Sequence, residues 1–94
     1  MKEAEVKQRV KRILDEAGAY WYMVVPTGYG RRGVPDFLVC HRGRFLAVET
    51  KRENISDPSP HQAREMRSIE AAKGSTLLIN AENLHELEEW LNGV

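Results

Sequence analysis

The chain has 94 residues, 41% hydrophobic and 30% charged, with 14 Lys/Arg balanced by 14 Asp/Glu. That length suits a single domain (1–94) built from one sheet with helices, small enough that burial gained by self-association would help. A formal charge of zero excludes whole-molecule attraction as the explanation for binding any polyanion, although the charge is unevenly spread. Six Lys/Arg against three acids lie between Gly28 and Glu53, whereas Asn80 to Val94 has four glutamates and neither lysine nor arginine. The acidic end is expected to face away from a polyanion. The opening residues are charged rather than signal-like, and no apolar stretch is long enough to span a bilayer, so a cytoplasmic location is expected. Cys40 has no partner for an internal disulfide and is expected to be a small buried group; no Cys/His spacing suggests structural zinc.

In chain order, an amphipathic helix is predicted from about Glu3 to Ala17. Val6, Val10, Ile13, Leu14 and Ala17 recur at helical spacing, and Gly18 supplies the stop. Turning about 100° per residue, Glu3 falls beside the apolar stripe and Glu5 well toward the opposite side. Tyr20 to Val25 reads as a short, bulky strand ended by Pro26. The following Thr27 to Gly33 is glycine-rich and basic, a tightly curved or mobile loop. Arg31 and Arg32 are its candidate phosphate contacts, and Tyr29 can stack on an unpaired base or fill space against a duplex backbone. The plainer reading is a solvated loop with two exposed arginines. No Gly-Lys-Ser/Thr element follows, so this is not a nucleoside triphosphate cradle.

Asp36 to Cys40 and Phe45 to Lys51 read as two strands of a hairpin with Arg42-Gly43 as the turn. That turn pairs Cys40 with Phe45 and sets Asp36 opposite Glu49. Period-two alternation projects Glu49 and Lys51 from one face and Leu46, Val48 and Thr50 from the other. Two carboxylates and an amine thus converge. Such a set suits magnesium, with manganese as a substitute, because hard cations take carboxylate and carbonyl oxygens and offset the repulsion between paired acids. A metal held by Asp36, Glu49 and the Thr50 backbone carbonyl would polarise a phosphodiester and lower the pKa of a bound water. Lys51 would either orient or deprotonate that water or stabilise the developing phosphorane charge. Otherwise, Asp36 is a turn residue and Glu49 and Lys51 are the wet face of an edge strand.

The remaining elements are a polar loop from Arg52 to Pro58, with Arg52 a further basic candidate, and a helix with Ser59 as N-cap, Pro60 first and Gln62 third. Capping explains Gln62 by itself; its stripe with Met66 and Ile69 also points it inward. His61 can touch phosphate or simply face solvent. Lys73-Gly74 ends the helix. Ser75 to Ile79 is an apolar run expected to form a fourth strand in an interior or sheltered place, parallel to its neighbour because a helix precedes it. Asn83 and Glu86 are placed to form a capping box for a last helix carrying Leu84, Leu87, Trp90 and Leu91. The predicted order is αβββαβα, a mixed four-stranded sheet flanked by helices.

These residues resemble the PD-(D/E)xK nuclease superfamily. Pro35-Asp36 matches its proline and acid, and Glu49-Thr50-Lys51 its acid, variable residue and lysine. The Gly33-Val34-Pro35-Asp36 form, the downstream Gln62 and an acidic N-terminal helix are similar to the VRR-NUC family in particular, over nearly the whole chain. The resemblance implies a restriction-endonuclease-like core and a site of Asp36, Glu49, Lys51 and Gln62, with Glu3 the better placed N-terminal acid, reaching the metal through water or positioning a ligand. A first-turn acid also suits the helix dipole and needs no such role. It further implies a metal-dependent endonuclease, a homodimer acting on branched DNA such as four-way junctions. Two other classes fit the residues less well: a noncatalytic DNA-binding or assembly module, which zero net charge favours, and a sequence-reading restriction-type nuclease, for which the chain has little room.

Overall fold

The computed structural model describes residues 1–93. Seven elements follow in the order α1 (Glu3–Glu16), β1 (Tyr20–Met23), β2 (Phe37–His41), β3 (Arg44–Thr50), α2 (Pro60–Ala71), β4 (Ser75–Ile79) and α3 (Leu84–Asn92). The strands form one sheet in the order β1-β2-β3-β4. β1, β2 and β3 are a meander of antiparallel pairs, and β4 returns parallel to β3. The order and class are those expected from the sequence. Among the described residues, no helix is long and apolar enough to cross a membrane.

The β2–β3 hairpin turns on two residues. Arg42 and Gly43 both have positive φ, 52° and 79°, the geometry whose twist matches that of the flanking strands. This pins the register at His41↔Arg44, Cys40↔Phe45 and Phe37↔Val48. One step further, just beyond the end of β2, Asp36 is brought opposite Glu49.

The core occupies one side of the sheet. Phe37 and Val39 of β2, Leu46 and Val48 of β3 and Ile79 of β4 pack with Val6, Val10 and Leu14 of α1 and Leu87 and Leu91 of α3. Trp21 closes this layer at the β1 edge. Its ring meets Phe37 edge-on at 5.7 Å between centroids, and its indole N–H donates to Asp15 at 2.8 Å. The other side of the sheet is covered by α2, no residue of which is fully buried.

Two expectations need correction, and a third is narrowed to one of its two alternatives. Cys40 is exposed, because Phe37, Val39 and His41 take the core-facing parity of β2 and leave Cys40 on the opposite side. β4 lies at the edge of the sheet rather than its interior; its apolar residues are sheltered by α2 and α3 instead of by a further strand. The Asn83–Glu86 capping box does not form. Asn83 turns its side chain back to the β4 end, accepting from the Asn80 N–H at 2.7 Å and donating to the Leu78 carbonyl at 2.8 Å.

Candidate active site

Asp36 leaves the loop that runs into β2, and its carboxylate crosses to the end of β3. Its Oδ2 accepts from the Thr50 N–H at 2.8 Å and from the Thr50 hydroxyl at 2.6 Å. Thr50 has no partner on β2 because the ladder ends at Phe37, so the aspartate completes the pairing with its side chain. Val24 N–H donates to the Asp36 carbonyl at 2.8 Å and fixes the backbone from the other side. This carboxylate is therefore held by sheet geometry rather than by a flexible turn.

Glu49, next to Thr50, is only 4% exposed. Its Oε2 accepts from the Gln62 side-chain amide at 2.7 Å. The other end of that amide, Oε1, accepts from the Ser59 N–H at 2.8 Å, while the Gln62 N–H donates to Ser59 Oγ at 3.2 Å. The capping and site readings of Gln62 are thus one arrangement: the capping box fixes the amide so that its NH₂ points at Glu49. Burial is the main cause lifting the Glu49 carboxyl to a pKa of about 7, the Asp36 charge adds to it, Lys51 draws it down, and Glu3 adds a smaller upward push.

Lys51 stands directly after β3, its N–H donating to the Ile79 carbonyl at 2.9 Å. Its charge reaches Glu49, as does that of Glu3. Glu3 pairs at 3.4 Å with Lys7, whose ammonium also lies 3.9 Å from Asp36 Oδ1. Glu5 points elsewhere and accepts from the Lys2 N–H at 3.3 Å. The sequence reading missed Lys7. Only its position one turn beyond Glu3, on the same side of the helix, could have signalled it.

Gly33 is required twice over. Its φ is +82°, and a Cβ there would lie 2.7 Å from the Gln62 nitrogen and closer still to the His61 carbonyl group. This close approach presses the 27–33 loop against the start of α2, beside the residue that holds Glu49. Farther out, Arg31 grips Glu65 of α2 with two hydrogen bonds, 3.0 Å from Nε and 3.2 Å from an η nitrogen. Tyr29 is 97% exposed. Arg32, Arg52 and His61 are also exposed, and among the described residues none of them makes an ion pair. The structure thus brings Asp36, Glu49, Lys51 and Gln62 together, sets Glu3 at their margin through Lys7, and leaves the DNA-contact candidates around them at the surface.

Among the described residues, no three His, Cys, Asp or Glu side chains cluster closely enough to enclose a metal. The donor chemistry still fits a hard dication that retains several waters, since two fixed carboxylates meet beside the Thr50 backbone. In a strand, a residue's N–H and C=O point the same way, so the Thr50 carbonyl lies on the side where its N–H meets Asp36. Glu3 is not part of a direct cluster and is placed to act on the site through Lys7 or water.

No family model matches the sequence, and no curated protein is significantly similar to it. Solved structures are. A VRR_NUC domain superposes over 95% of this chain and 96% of its own, with a TM-score of 0.76 and 29% sequence identity. Over nearly its whole length the chain is similar to VRR-NUC domains in fold and, at that identity, in sequence. A second VRR_NUC domain protein matches 97% of this chain and 88% of its own at TM-score 0.75 and 15% identity. Archaeoglobus fulgidus Hjc, a Holliday junction resolvase from an archaeal hyperthermophile, matches 84% of this chain and 69% of its own at TM-score 0.60 and 15% identity. The last two, at that identity, show the fold alone. The chain therefore has a nuclease fold.

Proposed function

We propose that this chain is a nuclease of the VRR-NUC kind, a magnesium-dependent endodeoxyribonuclease that hydrolyses phosphodiester bonds in branched DNA, with four-way junctions preferred. The observation that carries the reading is the meeting of Asp36 and Glu49 at the end of one hairpin, with Gln62 holding Glu49 and the Lys51 charge beside it. A noncatalytic fold would have no need for a buried carboxylate raised to about 7 beside a second acid.

A bound Mg²⁺ or Mn²⁺ would polarise the phosphodiester and supply a water of lowered pKa. Asp36 and Glu49 would hold it, with the Thr50 carbonyl. Asp36 keeps its place because Oδ2 is tied to Thr50, and Gln62 does the same for Glu49. Lys51 orients or deprotonates the attacking water, or neutralises charge on the phosphorane. Arg32, Arg52 and His61 contact backbone phosphates, which position the duplex without reading sequence.

Junction preference and dimerisation draw support from a Holliday junction resolvase with the same fold and from the open side of the sheet. Tyr20, Cys40 and Phe45 are register partners in one row across three strands, and with Tyr22 they form an exposed, largely apolar surface. A second copy covering it would present paired sites to two strands. The apolar side of α3 is already taken by the core, which leaves β1 as the candidate interface element.

The test is a cleavage panel of four-way junctions, flaps, single strands and linear duplexes with Mg²⁺, alongside oligomeric mass. Junction cutting by a dimer, abolished by chelation, is expected. Lys51→Ala should slow single-turnover cleavage by roughly 10²- to 10⁴-fold with metal affinity nearly unchanged. Asp36→Ala should lose both. Undiminished cleavage after thorough chelation removes the mechanism, and a monomer that cuts every duplex equally removes the junction preference.

A further inference from the structure

Lys7 belongs to no part of the acid–acid–lysine pattern, yet it reaches one of the pattern's acids, Asp36. α1 is docked through Val6, Val10 and Leu14, all fully buried, so the position of its first turns relative to the sheet is fixed. Lys7 follows Val6 and extends along the helix flank, its side chain 31% exposed. Its ammonium sits 3.4 Å from Glu3 and 3.9 Å from Asp36 Oδ1. The choice of oxygen matters. Oδ2 is committed to the Thr50 N–H and hydroxyl, so Oδ1 is the Asp36 oxygen left to meet a cation, and a lysine already stands against it.

Resting on the nuclease reading above, we propose that Lys7 is a displaceable counter-cation of the metal site, drawn off by a DNA phosphate, so that divalent metal and DNA bind cooperatively. Without DNA, an incoming dication meets a positive charge a few ångströms from its ligand, and the free protein holds metal weakly. A phosphate entering beside Asp36 offers Lys7 a stronger partner. The partly exposed side chain turns outward to it, and Asp36 Oδ1 faces the metal without that opposing charge. Glu3 steers the same ammonium from the helix side, which gives this exposed acid a role short of direct metal ligation. Because coupling between two ligands is reciprocal, metal must tighten DNA binding by the same factor that DNA tightens metal binding.

The test uses Ca²⁺, which favours oxygen ligands and tolerates loose coordination, as a probe expected to bind with little turnover. Calorimetric titration of Ca²⁺ into the full chain, alone and saturated with a four-way junction, is compared with titration into the junction alone. Wild type is expected to bind Ca²⁺ about 5-fold or more tightly when DNA is present. Lys7→Met is expected to bind it about 5-fold more tightly than wild type without DNA, with most of the coupling gone. Lys7→Arg, which restores a cation, should restore the coupling. Lys7 is partly exposed, so folded variants are expected, and Lys7→Gln provides a second neutral side chain. Free-protein Ca²⁺ affinity that is unchanged or lower in both neutral variants overturns the proposal while leaving the nuclease reading in place. If wild type binds Ca²⁺ no better than Asp36→Ala, the site itself is not a metal site and both readings fall.

Discussion

The two sides of the sheet are built to different standards. Under α1 and α3, Phe37, Val39, Leu46 and Val48 are at most 1% exposed and interlock with buried residues from both helices. Under α2, the helix buries no residue fully, and it is held by polar ties: Gln62 to Glu49, Arg31 to Glu65, and the close approach of Gly33. The hydrophobic effect supplies stability on the first side, where close packing leaves no room for charge. The second side gives up packing and can therefore hold a carboxylate out of water beside a second acid. Dividing the sheet this way lets a 94-residue chain carry an electrostatically unfavourable cluster without placing it in its own core.

The largest break in this comparison should come from truncating the packed side. Phe37→Ala removes a fully buried ring that also stacks edge-on with Trp21, and should cost about 3–5 kcal/mol. Tyr22→Ala on the open side removes a ring that is 58% exposed and should stay within about 0.5 kcal/mol at concentrations where the chain is monomeric. Urea unfolding of both variants measures the contrast. Equal losses would mean that the open side is as much a core as the other.

Next in size is the tie between α2 and Glu49. Ser59→Ala and Gln62→Ala both remove the capping box and should lose about 1 kcal/mol of stability each. Only Gln62→Ala also frees Glu49 Oε2, so it alone should weaken metal binding, by roughly 10- to 100-fold. Matching metal affinities in the two variants would reduce Gln62 to a cap.

Burial of Glu49 has a smaller, pH-dependent consequence for the metal-free protein. Its pKa is raised from the ordinary glutamate value of 4.5 to about 7 in the folded chain, so between these values the folded state holds more proton than the unfolded state. Stability is therefore fully present below about 4.5 and is lost as pH rises through about 7. Glu49 itself is buried, but solvent reaches the neighbouring Asp36, whose side chain is 22% exposed, and allowing for that screening the loss should be on the order of 1–2 kcal/mol. Glu49→Gln carries no such charge, and its melting temperature should fall less than that of wild type between pH 5 and pH 8 when other groups titrate alike. Parallel curves would show that burial does not perturb Glu49.

Local patterns were legible in the sequence wherever the physics is local. Alternation along β3 separated Leu46 and Val48 from Glu49, and the two-residue turn at Arg42-Gly43 was enough to predict the register that brings Asp36 opposite Glu49. Long-range placement was not legible. Whether β4 lies at an edge depends on strand order, and whether Cys40 is covered depends on how far α2 extends across the sheet. Lys7 looks like any flanking lysine until α1 is docked. The Arg31–Glu65 pair joins residues on a loop and a helix, and no spacing rule connects them.

That pair sets the smallest predicted effect and separates two adjacent arginines that look equivalent in sequence. Arg31 is 78% exposed along its side chain, but Glu65 neutralises it and raises its pKa still further. Arg32 makes no ion pair among the described residues. A phosphate contact releases condensed counterions in proportion to the charge it neutralises, so Arg32→Ala should reduce the log–log salt slope of DNA binding by about 0.9, with stability unchanged. Arg31 must first leave Glu65, and Arg31→Ala should change the slope by less than Arg32→Ala does. Glu65→Gln releases Arg31 and should steepen the slope and tighten binding, an outcome that a purely structural clamp would not give. Binding measured between about 50 and 200 mM salt on all three variants decides the matter. A Glu65→Gln slope equal to wild type would make Arg31 a fastener of the loop and leave Arg32 as its phosphate contact.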